Sequence, residues 1–186
     1  YFKGVEYLSP TSAQVLIQCS PIFLVILSLI ILKEQMKVIQ YVGLGCTLSG
    51  FILFYKDQIP NILNELHTYN LGIIWVIIGG FTWAIYGLLQ KKLVDNYAPQ
   101  KVNLIIYSVA ALIFMPITDF TQFLNLSFMQ WLLIVFLGAN TLIAYGTLSE
   151  AFSYLPANQV SIIITLAPLV TMIVMGILHY FHVAWL

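Results

Sequence analysis

Residues 11–32 carry no charged side chain. A run this long and this apolar constrains the fold more than any other feature of the chain. Five similar stretches follow, at 38–55, 71–89, 102–117, 129–149 and 157–178. The charges fall between these stretches or at their ends: Lys33, Glu34 and Lys37, then Lys56, Asp57 and Glu65, then Lys91, Lys92, Asp95 and Lys101, and finally Asp119 and Glu150. A helix needs about 20 apolar residues to cross the hydrocarbon core. Lipid cannot hydrogen-bond an open backbone, so spanning segments are helices or closed barrels, and these are too long and too uniformly apolar for barrel strands. The sequence therefore predicts an all-α, polytopic membrane bundle of about six transmembrane helices.

Composition enters as a check on that reading. Charged residues make up 8% of the chain against 61% hydrophobic, too few to cover a water-soluble surface. The net charge is zero and no arginine is present, so no nucleic-acid partner is expected. The expected partners are the lipid bilayer and a small-molecule solute, with a homodimer as a further option. Cys19 and Cys46 lie inside apolar runs without CxxC or metal spacing and read as small apolar fillers; no metal or cofactor is expected. The chain starts at Tyr1 without a signal-peptide pattern and stops at Leu186 just past an apolar run, so it is expected to be a fragment of something longer.

Lysine distribution orients the bundle. Lys33, Lys37, Lys91, Lys92 and Lys101 lie in alternate loops, and only Lys3 and Lys56 lie on the opposite side. Cytoplasmic loops carry the excess of lysine. The loops after 11–32 and after 71–89 are thus expected in the cytoplasm, and the Asn125–Ser127 sequon outside reads as chance.

An internal repeat is visible at a shift of 147 residues. Tyr7 and Leu8 fall on Tyr154 and Leu155, and Pro21 falls on Pro168. On one face of the first segment, Thr11, Gln14, Gln18 and Pro21 follow helical spacing. Their counterparts Asn158, Ser161, Thr165 and Pro168 are polar at every polar position. Such stripes read either as interhelical glue or as the lining of a shared pathway. The two segments are five apart and cross in opposite directions, which makes this an inverted-topology repeat of the kind common in secondary transporters. A mid-span proline frees a carbonyl of the preceding turn, tolerable beside polar side chains or a watery cavity, and it makes a natural bend.

The quoted stretches "YLSPTSAQVLIQCSPIFLVILSLIILKEQ", "YVGLGCTLSGFILFY", "LGIIWVIIGGFTWAIYGLLQKKL" and "LIAYGTLSEAFSYLPANQVSIIITLAPLV" carry a family likeness. The chain resembles the drug/metabolite transporter superfamily, specifically its EamA-like members. The resemblance implies two inverted five-helix repeats, of which this chain would hold spans four to nine of ten. Residues 1–56 would close the first repeat, 57–70 would be an external linker, and 71–186 would be the second repeat without its last span. It also implies a structural role for Glu34 at the cytoplasmic helix end. Phe181 stands where the second repeat often has an acid, a departure from the family pattern.

Further candidates for the pathway are Thr82, Trp83 and Tyr86 in the third segment and Asn140, Thr141 and Tyr145 in the fifth. Trp131 and Trp185 read as interfacial anchors, and His67, His179 and His182 as interfacial. Gly43, Gly45, Thr47, Ser49 and Gly50 read as faces for close packing. No acid or lysine lies deep in a span, whereas proton relays normally use one. Hydrolase, zinc-protease and nucleotide-binding motifs are missing from the sequence, so no enzyme activity and no catalytic residue are expected. The resulting expectation is a secondary transporter, exporter or exchanger, of small organic metabolites such as amino acids or amphipathic solutes. It would work by alternating access, with rocking about the Pro21 and Pro168 bends, in a bacterial inner membrane. The competing expectation is a non-transporting scaffold or an inactive remnant of such a transporter.

Overall fold

The computed structural model describes residues 1–8, 12, 13, 16–56, 69–167, 170, 173, 174 and 177. Among them every regular element is helical. The α-helices are α1 (Phe2–Val5), α2 (Cys19–Leu27), α3 (Val38–Tyr55), α4 (Tyr69–Val94), α5 (Pro99–Phe114), α6 (Phe128–Tyr154) and α7 (Ala157–Ile164). The protein is an all-α membrane helix bundle. The stretches Leu71–Val94, Pro99–Ile117 and Phe128–Tyr154 are long and apolar enough to cross a bilayer unbroken.

Local chemistry sets the helix ends. Pro99 opens α5, where a missing N–H costs nothing because the first turn has no acceptor for it. Ser127 and Gln130 form a capping box at the start of α6: the Ser127 N–H donates to Gln130 Oε1 at 2.8 Å, and the Gln130 N–H donates to Ser127 Oγ at 3.4 Å. At the end of α4, Lys91 and Lys92 complement the negative end of the helix dipole. Lys91 also pairs with Asp95 at 2.7 Å. After Leu27 the chain widens into a π turn over Ser28–Leu32. Lys33 then stops it in the left-handed region, at φ 55°. A non-glycine residue there is uncommon. The Glu34 N–H reaches back to the Ser28 carbonyl at 3.3 Å, which closes the turn.

The residues fall into two compact units, one comprising Tyr1–Leu88 with Pro156–Leu186 and the other Leu89–Leu155. In the first, Leu8, Ala13, Leu16 and Val76 are buried together, with Val5, Ile17 and Ile73 against them. Glycines allow this contact. A Cβ on Gly4 would lie 2.9 Å from the Gly72 carbonyl oxygen, and one on Gly80 would lie 2.8 Å from Cys19 Sγ. α2 packs against α7, and α3 also touches α7. A Cβ on Gly43, Gly45 or Gly50 meets no atom within 4 Å among the described residues. The close-packing glycines are those of α1 and α4, whose backbones approach other chain segments. In the second unit α5 packs along α6. Most of the side chains of α6 are exposed apolar residues.

Candidate functional site

The regular helix is interrupted one turn before Pro21. The chain turns at Ile17–Gln18, and α2 begins at Cys19. Pro21 therefore sits in the first turn of a new helix, where its missing donor is harmless. The carbonyl of Ile17, which a residue-21 N–H would otherwise have satisfied, accepts from the Ser20 N–H at 2.9 Å and from the Ser20 hydroxyl. α7 is interrupted within one residue of the matching place. It ends at Ile164, and the chain turns at Thr165–Leu166. The Leu166 N–H donates to the Ile163 carbonyl at 3.0 Å, and the Thr165 hydroxyl donates to the Ile162 carbonyl at 2.6 Å. Gln14 and Pro168 lie outside the described residues, as do Thr11, Phe181, Trp185 and all three histidines.

Two polar contacts tie α2 and its π turn to α7. The buried Ser161 hydroxyl donates to the Pro21 carbonyl at 2.5 Å. At the other contact Glu34 binds the start of α7. Its Oε1 accepts from the Ala157 N–H at 2.7 Å and its Oε2 from the Asn158 N–H at 2.9 Å. These are two of the donors a helix leaves unpaired in its first turn, and the carboxylate also meets the positive end of the helix dipole. The Asn158 side-chain amide donates to the Gln35 carbonyl at 3.3 Å, while its buried Oδ1 has no partner among the described residues.

The structure thus joins Pro21 and Ser161, and adds Glu34 to the same pair of helices. Gln18 and Thr165 are half-buried at the two interruptions. On α4, Trp83 and Tyr86 are half-buried, and the exposed Thr82 donates its hydroxyl to the Ile78 carbonyl of its own helix at 2.8 Å. Phe81 meets Phe23 of α2 edge-on, with ring centroids 5.6 Å apart. In the other unit Asn140 and Thr141 are exposed and Tyr145 is half-buried. Thr141 donates to the Leu137 carbonyl at 2.8 Å.

Sequence reasoning missed a polar cluster in the Leu89–Leu155 unit. Gln90 is 1% exposed, and its amide donates to Asn103 Oδ1 at 3.0 Å. Asn103 in turn donates to the Tyr145 carbonyl at 3.4 Å. The Lys91 ammonium reaches the Phe152 carbonyl at 2.8 Å. Gln90 Oε1, Tyr107 OH and Ser149 Oγ are buried without a partner among the described residues. Beside this cluster a crevice of about 280 Å³ is lined by Pro99, Gln100, Asn103, Gly146, Thr147 and Glu150. Gln100 Nε2 donates to Glu150 Oε2 at 3.2 Å. The available signal was that Gln90 and Asn103 stand at the ends of apolar segments. Neighbouring lysines made those ends read as solvated. Among the described residues no group of three acidic, histidine or cysteine side chains is placed to hold a metal.

Comparison with known proteins bears on these helices directly. The chain matches the model of the EamA-like transporter family over residues 1–56 and 70–183. It is 36% identical over 172 residues to the uncharacterized inner membrane transporter YhbE of Escherichia coli K12, covering 92% of this chain and 54% of that protein. An uncharacterized transporter of Haemophilus influenzae is 33% identical over 184 residues, covering 99% of this chain and 60% of its own length. The uncharacterized transporter YyaM of Bacillus subtilis is 25% identical over 179 residues, covering 94% and 58%. The chain therefore spans little more than half the length of these relatives. No solved structure matches it.

Proposed function

Because the chain belongs to the EamA-like transporter family, we propose that it forms the central part of a secondary transporter moving small organic solutes by alternating access, as an exporter or exchanger. It is an integral protein of the bacterial inner membrane. No enzymatic chemistry is part of the proposal. The observation that carries the reading is the matched interruption of two helices, at Ile17–Gln18 and Thr165–Leu166. Discontinuous helices in transporters commonly meet near the bilayer midplane, where polar side chains and freed backbone groups bind solute. The pathway residues proposed are Gln14, Gln18, Pro21, Ser161, Thr165 and Pro168 on the interrupted segments. Thr82, Trp83, Tyr86, Asn140, Thr141 and Tyr145 join them from α4 and α6. Neutral amides and hydroxyls dominate this set, which favours zwitterionic or uncharged solutes such as amino acids. The loops holding Glu34 and Asp95 would face the cytoplasm, and Glu34 would act at that end.

Rocking of the two repeats about the Pro21 and Pro168 bends would carry the cycle. Ser161 and Glu34 join α7 to α2, so the segment from Cys19 to Glu34 would move with α7, and the turns at 17–18 and 165–166 would be the flexing points. The test places single cysteines at Gln18, Ser161 and Thr165 in a full-length protein whose Cys19 and Cys46 are alanine. The expected outcome is labelling by a membrane-impermeant maleimide, slowed by transported solute. Complete protection of all three positions would mean a packed interface and would reject the pathway.

A further inference from the structure

In the Leu89–Leu155 unit, Gln90 Oε1, Tyr107 OH and Ser149 Oγ are buried and have no partner among the described residues. They lie along the seam where the end of α4 meets α5 and α6. Tyr107 stands one turn on from Asn103, and Ser149 one turn on from Tyr145, each pair on one helix face. A helical serine or threonine ordinarily gives its proton to a carbonyl three or four residues back. Thr141 and Ser153 of α6 do so. The carbonyl four residues before Ser149 is that of Tyr145, and the Asn103 amide holds it. Gln90 is 1% and Ser149 0% exposed, so no helix docking from outside can reach them. Water reaches these atoms only when the helices part. We propose that the seam is a gate, which takes up water by parting at the end that lysine distribution assigns to the cytoplasm, and that Asn103 is the latch that holds it shut. The gate rests on the transport reading for its purpose, solute exchange with the cytoplasm.

Two opposed terms set the balance of such a gate. The polar ties across the seam run from Gln90 to Asn103, from Asn103 to the Tyr145 carbonyl, from Lys91 to the Phe152 carbonyl and from Gln100 to Glu150. A hydrogen bond between protein groups gains little over the bonds to water that it replaces, whereas a buried polar atom without a partner carries the full cost of its lost hydration. Parting therefore exchanges the ties for water at small cost and gives the orphan atoms partners. Lys91 gives up a carbonyl but keeps Asp95, so no charge is bared. On the other side, apolar packing of α5 along α6 favours the shut state. An element poised between two such states is what a ligand or a neighbouring movement can switch.

The test measures how fast 2-aminoethyl methanethiosulfonate modifies a single cysteine in the full-length protein, with Cys19 and Cys46 replaced by alanine. Ser149→Cys keeps the size of the side chain and leaves Gln90 Oε1 and Tyr107 OH to drive opening. Ser28→Cys is the control, since Ser28 is 0% exposed and its hydroxyl is satisfied by the Val25 carbonyl. Ser149→Cys should react about tenfold faster than Ser28→Cys, because burial alone protects both and only the seam opens. Tyr107→Phe removes an orphan hydroxyl and little volume, and should slow the Ser149→Cys reaction about threefold. Asn103→Leu fills the same space without the amide bonds, and should speed it about threefold. Circular dichroism checks that the variants fold, and either one suffices alone. Equal rates at positions 149 and 28 would overturn the gate, as would a folded Tyr107→Phe variant that reacts as fast as its parent. A folded Asn103→Leu variant that reacts no faster would overturn the latch. The readout is thiol reaction, so labelling at 149 with protection at 18, 161 and 165 would sink the pathway and leave the gate standing, and the reverse pattern would sink the gate alone.

Discussion

The first two N–H groups of α7 have no acceptor inside their helix, and the residue before them, Pro156, has no side-chain oxygen to offer. Glu34 fills that gap from 123 positions away in sequence, with both carboxylate oxygens. Hydrogen bonds to a charged acceptor are stronger than neutral ones, and loss of a helix cap alone costs about 0.5–2 kcal/mol. Glu34→Ala is therefore expected to destabilise the folded protein by about 1–3 kcal/mol. Glu34→Gln should lose about half of that, because its amide has only one acceptor oxygen. Chemical unfolding in mixed micelles, followed by tryptophan fluorescence, measures both. Equal stability of parent and Glu34→Ala would show that water replaces the carboxylate without cost. The charge and helix-end position of Glu34 were legible in the sequence. Its acceptors were not, because they belong to a helix that comes beside it only on folding.

At the scale of elements, glycine position decides which helices approach closely. Gly80 on α4 faces Cys19 and Ser20, and an added Cβ would stand 2.8 Å and 3.0 Å from their sulfur and hydroxyl oxygen. Those two residues form the first turn of α2 and hold the Ile17 carbonyl that Pro21 leaves without its usual donor. Gly80→Leu should therefore cost about 1–3 kcal/mol through overpacking. Gly138→Leu, at a glycine whose added Cβ meets no atom within 4 Å among the described residues, should change stability by less than about 0.5 kcal/mol. Melting temperatures in one detergent compare the two, and a Gly80 variant as stable as the Gly138 variant would refute the contact. The sequence reading found small-residue faces on α3, where glycines recur. It could not tell which glycines meet a neighbour, since α3, α4 and α6 each carry two or more.

On the scale of the molecule, the apolar surface is turned outward. In α6 only 6% of the apolar window is buried. Water would meet that surface with a large unfavourable free energy, whereas lipid solvates it without one. The protein is expected to remain in the membrane pellet after alkaline carbonate washing and to enter solution only with detergent. Its appearance in the carbonate supernatant would contradict the membrane assignment.

By itself the sequence determined the solvent and the class of fold. Long charge-free runs admit only helices in lipid, because every backbone group must be satisfied within its own segment. It also determined the boundaries of α3, at Val38 and Tyr55, where lysines stand next to the apolar run. The 147-residue likeness around Pro21 and Pro168 pointed to the places where two helices stop. Tertiary structure decided the rest. It showed where the chain opens at Pro21: one turn earlier, at Ile17–Gln18, because proline gives the Ile17 carbonyl no donor and Ser20 occupies it. It paired Glu34 with α7, Ser161 with Pro21, and Gln90 with Asn103. Each of those pairings joins polar groups on different helices or across a loop, and hydropathy along a chain reports how polar a residue is without saying which partner will satisfy it.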